Sequence, residues 1–275
     1  MARRYSLCLR CNTAAEGTFN SVKMLLTTFP RRWLCQRIDA NIAITEHVLK
    51  RLGLDRSRLI YYGIPEEAAD PRENLHPISF SDGANLCFAY VGRFVSLKGL
   101  HLILRAAHNL RAAGYRFRIK FVGDGPLRSE LEALSETLGL SDCVHFTGFV
   151  LGEEFREAMQ DVSTVLMPSV WEETAGLAAI EQMMRGRLVI VSDIGGLGEV
   201  VGDAGLRFPV DSLQGLIACM KTVLDKPEIV CTKGGSARQH ARRMFSQERM
   251  VEEHLELYCE LVRLGMPGKR STVQV

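Results

Sequence analysis

The stretch "LCFAYVGRFVSLKGLHLILRAAHNL", residues 86–110, holds the plan of the fold in miniature. Leu86 to Val91 is a short, almost continuous apolar run ending at Gly92, the pattern of a strand covered on both faces. An eight-residue loop follows, Gly92 to Gly99. Beyond it Leu100, Ile103, Leu104, Ala107 and Leu110 fall on one helical face, and Gly114 stops the helix.

The same strand-then-helix unit recurs downstream. "FRIKFVG" predicts a strand, and "PLRSELEALSETLGL" a helix with Pro126 in its first turn and Leu127, Leu131 and Leu134 on one face. "VHFTGF", "STVLMPS", "RLVIVSD" and "LRFPV" read as further strands. "GEEFREAMQD" and "DSLQGLIACMKTVLDKP" read as helices, and "GGLGEVVGDAG" as turns. Repeated βα units with short apolar strands imply a parallel sheet with helices on both faces. Ligands bind such sheets at the carboxyl ends of the strands.

Residues 1–75 read differently, as a partial α/β domain: "NIAIT" and "RLIYYGIP" are strand-like. Residues 76–245 form the main domain, and "EEAADPRENLHPISFSDGAN" between the two reads as a linker. An amphipathic helix over 246–265 is expected to pack back toward the N-terminal part. Ser246 can cap it, and Val251, Leu255, Tyr258 and Val262 form its stripe. Residues 266–275 read as a disordered tail.

Composition is that of an ordinary globular chain, 47% apolar and 24% charged, with a net charge of +2. That balance favours no nucleic-acid partner. Charge is uneven, however. Arg3, Arg4, Arg10, Lys23, Arg31, Arg32 and Arg37 face only Glu16, and such a patch either lies in solvent or meets an anionic membrane surface peripherally. No apolar run approaches the ~20 residues of a membrane span, and no signal peptide follows Arg3 and Arg4. Eight scattered cysteines read as reduced, buried thiols in a cytoplasmic protein. Cys8 and Cys11 have metal-ligand spacing but lack a second pair, so no metal is expected.

Four loops converge on the carboxyl edge of the predicted sheet. "GRFVSLKG" places Arg93 and Lys98 before a helix, where a diphosphate clamp or two surface bases fit equally. "VGDGPLR" brings Gly123 and Gly125 to a strand-to-helix turn. Arg128 stands where a dinucleotide fingerprint needs its third glycine. In "PSVWEETAGLAAIEQM", Gly176 and Leu177 open a helix whose first N–H groups point above the strand. Glu173 precedes that helix and Glu181 lies inside it, next to the apolar Ile180, Met183 and Met184, where an acid needs partners. Carboxylates do not hold phosphate, but they accept hydrogen bonds from vicinal hydroxyls. Two acids flanking a phosphate-friendly helix start match a nucleotide sugar. "DIGGLGEVVGDAG" adds Gly195, Gly196 and Gly198, a tight loop before a short helix or simple turn punctuation.

In this order and spacing the loops resemble the retaining glycosyltransferases of the GT-B fold, in particular family 4, the glycosyl transferases group 1. The resemblance runs from about Ile42 to Val262, carried by "YVGRFVSLKG", "FVGDGPLRSELEALSETLGLSDCVHFTGFV", the Glu-x7-Glu pair Glu173 and Glu181, "GGLGEVVGDAGLRFPV" and "FSQERMVEEHLELY". It implies a Rossmann-like domain that binds a UDP- or GDP-sugar as donor substrate, with no cofactor and no metal. Arg93 and Lys98 would neutralise the diphosphate, and Glu173 would hold the transferred sugar. Glu181 would bind the ribose. The segment from Gly92, the turn at Gly123 and Gly125, and the amides of Thr174, Ala175, Gly176 and Leu177 would line the donor. The backbone at Phe149 and Val150 would meet the base. The acceptor would be a glycan, a lipid-linked or a small molecule, as in polysaccharide biosynthesis. The resemblance also implies an N-terminally truncated chain, since the family's N-terminal domain is longer than 75 residues and its glycine-rich loop and histidine loop have no counterpart here. Two alternatives stay open: a remnant that binds nucleotide sugar without transferring it, and an NAD-dependent oxidoreductase. The missing third glycine and the acid pair argue against the oxidoreductase.

Overall fold

The computed structural model describes residues 26–28, 30–65 and 86–265. The linker, the tail, the Cys8 and Cys11 pair and most of the basic N-terminal residues lie outside them.

Two small parallel strands, β1 (Asn41–Ala43) and β2 (Ser57–Leu59), are joined by helix α1 (Glu46–Leu52). Asn41 is buried, and its amide donates to Cys35 O at 2.8 Å and Asp55 O at 2.9 Å, which satisfies a polar group that burial would otherwise penalise. The main sheet has six parallel strands: β3 (Cys87–Val91), β4 (Arg118–Val122), β5 (Val144–Gly148), β6 (Thr164–Met167), β7 (Leu188–Ser192) and β8 (Leu206–Phe208). Their spatial order is β5-β4-β3-β6-β7-β8. Chain order therefore runs outward from β3 in one direction, then returns to β6 on its other side. The reversal between β3 and β6 is the topological switch point, where loops diverge and leave a crevice.

Helices α2 (Leu100–Ala112), α3 (Arg128–Thr137) and α7 (Leu213–Asp225) cover one face. Helices α4 (Gly152–Met159), α5 (Leu177–Met184), α6 (Gly195–Val201) and α8 (Ile229–Phe245) cover the other. Strand residues alternate between the two cores: Phe88 and Tyr90 face the first, Cys87 and Ala89 the second. The expected face of α2 is buried throughout. Helix α9 (Gln247–Gly265) is capped by Ser246, whose hydroxyl accepts from Arg249 N at 3.3 Å.

Four expectations are corrected. The short helix expected after the glycines of "GGLGEVV" is present but begins earlier, at Gly195, so the glycines lie inside α6 rather than in a loop or turn. A 17-residue helix, α8, occupies a stretch for which the sequence predicted no element. The stripe of α9 is not buried, since Val251, Leu255, Tyr258 and Val262 are all exposed, while Leu257 is the side that packs. The thiols are not uniformly buried either: Cys87 and Cys143 are, but Cys231 and Cys259 are exposed. Among the described residues no helix is long and apolar enough to cross a membrane.

Candidate functional site

Arg93 and Lys98 leave β3 on one side of the switch point, and Glu173 leaves β6 on the other. The structure brings Lys98 and Glu173 together: Lys98 Nζ pairs with Glu173 Oε1. Ser169 Oγ donates to the same oxygen at 2.7 Å. Oε2 has no partner among the described residues and stays available to accept hydrogen bonds. Glu173 is 18% exposed and Lys98 28%, so the pair is shielded without being sealed. Arg93 is exposed, and its guanidinium makes no ion pair among the described residues.

The loop carrying the two cations is held from below. Tyr90 is buried, and its hydroxyl donates to Arg93 O at 3.0 Å. Burial, and after it the Glu173 charge, keeps that hydroxyl protonated well above its ordinary range. Phe94, Phe121 and Phe146 pack beneath, with Phe121 and Phe146 stacked at 4.9 Å.

The glycines explain how the loops nest. A Cβ on Gly123 would lie 2.0 Å from Gly92 O, and one on Gly125 2.5 Å from Phe94 O. Gly123 N also donates to Gly148 O at 2.9 Å. The close approach these glycines permit is thus to the neighbouring loop. On α6, a Cβ on Gly195 would meet Glu173 O at 2.6 Å, and Gly196 N donates to Glu173 O at 2.7 Å. The glycine cluster is a seat for the Glu173 loop.

Helix α5 opens at Leu177 with Gly176 as its N-cap in the left-handed region and no side-chain cap. Its first amides therefore remain free to meet an acceptor. Thr174 is exposed and Ala175 buried. Leu177 and Glu181, four apart, share the exposed stripe of a helix whose other residues are mostly buried. Glu181 lies about 6 Å along the axis from Leu177. Glu181 is exposed as a residue, yet burial of its carboxyl raises its pKa, with Arg185 opposing. Phe149 is 71% exposed beyond β5, while Val150 packs on the second core.

The raised value has a consequence for stability. The folded chain holds the Glu181 proton more tightly than the unfolded chain, so ionisation costs stability as pH rises through the raised pKa, and the cost is absent below the ordinary 4.5. Glu181→Gln should be more stable than the parent at about pH 7 and lose that advantage at low pH. Urea midpoints at the two pH values test this, and a pH-independent difference counts against it.

Sequence reasoning missed what holds the site in place. Thr45 is fully buried: its hydroxyl accepts from Val48 N at 3.2 Å as the cap of α1 and donates to Thr174 O at 2.8 Å. Glu199 accepts from Glu46 N at 2.7 Å, His47 N at 2.9 Å and the Tyr61 hydroxyl at 2.7 Å. Glu172 pairs with Arg51 at 3.1 Å and His47 at 3.6 Å. The N-terminal unit is thus latched to the loop that carries Glu173. Thr45 followed by Glu46 before an apolar helical pattern is a cap signal in the sequence, but its second partner 129 residues away leaves no local trace. Thr45→Val should cost about 0.5–2 kcal/mol through the lost cap, with Thr45→Ser close to the parent. Unchanged urea unfolding of the valine variant would contradict the latch.

Strand order, switch-point crevice and loop chemistry define a GT-B-type α/β protein. The family model for glycosyl transferases group 1 matches residues 71–239, and the chain belongs to that family. Among curated relatives, it is 28% identical over 252 residues to a 2-deoxystreptamine glucosyltransferase of Streptomyces kanamyceticus, covering 86% of this chain and 65% of that protein. It is 34% identical over 189 residues to a D-inositol 3-phosphate glycosyltransferase of Corynebacterium urealyticum, covering 65% and 44%. Among solved structures, sucrose-phosphate synthase from Thermosynechococcus elongatus superposes with a TM-score of 0.72 at 24% identity, over 86% of this chain and 61% of that one. Anabaena HepE in complex with UDP-glucose gives 0.70 at 21% identity, over 82% and 65%. The chain therefore spans about two thirds or less of the length of these proteins.

Proposed function

We propose that the switch-point crevice binds a UDP- or GDP-sugar and that the protein transfers the sugar, with retention, to a glycan, lipid-linked or small-molecule acceptor. The observation that carries this reading is the meeting of Lys98 and Glu173 across the switch point, beside an uncapped helix start. Lys98 and Arg93 take the diphosphate and neutralise charge on the departing phosphate, an electrostatic contribution that needs no metal in this reading. The free amides at Gly176 and Leu177 add the helix field, flanked by Thr174 and Ala175. Glu173 Oε2 accepts from hydroxyls of the transferred sugar. Glu181, on the open stripe of α5, accepts from the ribose, and the backbone at Phe149 and Val150 meets the base. Gly92, Gly123 and Gly125 support this by shaping the loops around the donor. Solved structures of similar fold in complex with UDP and glucose and with UDP-glucose fit the reading. A cytoplasmic setting accords with the free thiols. Arg31, Arg32 and Arg37 would serve a peripheral approach to an anionic membrane carrying a lipid-linked acceptor.

Calorimetry with UDP, GDP and NAD tests the donor assignment: binding of NAD alone overturns it. Glu181→Ala should weaken UDP or GDP binding by about 1–3 kcal/mol, and unchanged affinity in the folded variant removes the ribose role. A turnover assay with mixed acceptors, with the anomeric configuration of the product read by NMR, tests transfer and retention. Nucleotide-sugar binding without product would instead identify a donor-binding protein.

A further inference from the structure

We propose that Ser169 is a positioning residue that keeps Glu173 aimed at the sugar when the diphosphate draws Lys98 away. The inference rests on the donor reading above and adds a division of labour to it. Glu173 Oε1 has two partners, the Lys98 ammonium and the Ser169 hydroxyl, and both come to one oxygen. A diphosphate carries more charge than a carboxylate and competes for Lys98. If Lys98 were the only tether, donor binding would release Glu173 at the moment the sugar needs it. Ser169 is uncharged, so an incoming phosphate does not pull its hydrogen bond away.

Ser169 is also placed as a fixed point. It is 1% exposed and stands two residues beyond the end of β6. Its carbonyl accepts from the hydroxyl of Ser192, itself fully buried at the end of β7, at 2.6 Å. On either side of it, the carbonyl of Pro168 abuts Gly99, and Val170 N donates to Leu97 O at 3.0 Å. The serine backbone is thus tied to β7 and to the Lys98 loop at once, and its hydroxyl donates to Glu173. The chain Ser192 to Ser169 to Glu173 runs from the sheet to the site without passing through Lys98.

The test compares how much the sugar adds to nucleotide affinity. Dissociation constants for UDP, UDP-glucose, GDP and GDP-mannose are measured by calorimetry on the parent chain, Ser169→Ala, Ser169→Thr and Glu173→Ala. The increment is the ratio of nucleotide to nucleotide-sugar dissociation constants. Ser169→Ala should lose about tenfold or more of that increment, approaching Glu173→Ala, while the affinity for the bare nucleotide changes by less than about twofold. Ser169→Thr, which keeps the hydroxyl, should restore it. A parental increment in Ser169→Ala overturns the proposal. So does an equal loss for bare nucleotide and nucleotide sugar, which would make Ser169 a support of the loop only. A parent chain that binds none of the four ligands overturns the donor reading itself. One that binds nucleotides with no sugar increment overturns the sugar role of Glu173, and the Ser169 proposal falls with it.

Discussion

In the transfer reaction proposed above, replacing Lys98 with Ala should lower kcat by about 10²–10³-fold, the range found when one preorganised charge or donor at a transition state is removed. Geometry is the reason. Lys98 ends a single turn of 3-10 helix, Ser96–Lys98, whose C-cap Gly99 adopts φ 65°. That turn puts the ammonium over the crevice beside Glu173 rather than out in solvent. In that proposed reaction the leaving phosphate would gain charge as the glycosidic bond breaks, and a cation already in place would stabilise that charge without reorganising. Lys98→Arg should retain part of the activity, because charge is kept while point geometry is not. The assay is product formation at saturating donor. A drop smaller than about threefold in a folded Lys98→Ala would remove Lys98 from the mechanism.

The largest structural effect is expected at Gly99. A Cβ there would lie 2.1 Å from Pro168 O, a backbone atom of the loop that carries Ser169 and Glu173, and the residue sits in the left-handed region. A methyl group cannot be accommodated by rotating a side chain; the two site loops must separate. Gly99→Ala should destabilise the chain by about 3 kcal/mol or more, combining backbone strain with overpacking. Gly235 in α8 is the control. A Cβ there would meet nothing within 4 Å, and its backbone lies outside the left-handed region, so Gly235→Ala should stabilise by about 0.5–1 kcal/mol. Urea unfolding of the two variants reads both values. Similar midpoints for the pair would mean that the loops do not depend on the close contact.

These two residues show which parts of the site were legible in the chain. Lys98 was readable because its loop lies between a strand and a helix whose periodicities are strong. Glu173 was readable because Glu181 follows eight positions later in an apolar segment. Gly99 was readable as a boundary but not as a contact. The carbonyl it makes room for belongs to Pro168, 69 positions away in the chain, and close approach between loops has no periodicity. The same holds for Gly195 and Gly196, which read as loop or turn punctuation and are instead helical residues seated against the Glu173 loop, and for Gly198, a helical residue packed against Asp193. Helix α8 was missed because Gly234, Gly235, Thr232 and Ser236 lower helix propensity. Packing overrides that: a Cβ on Gly234 would meet Gly186 O at 2.2 Å, so the glycine brings the helix against the turn before β7.

By itself the sequence determined the class of fold, because strand and helix periods are local and each unit repeats the last. It also singled out the residues of the candidate site, since charged and glycine residues cluster where strands end. Only the tertiary structure decided which of them meet. Switch-point topology put Lys98 opposite Glu173, the buried serines gave Glu173 a second tether, Thr45 and Glu172 latched the N-terminal unit to the Glu173 loop, and Glu199 latched it to α6. Each of those contacts depends on burial and distance set by the packing of separate elements, which no local pattern records.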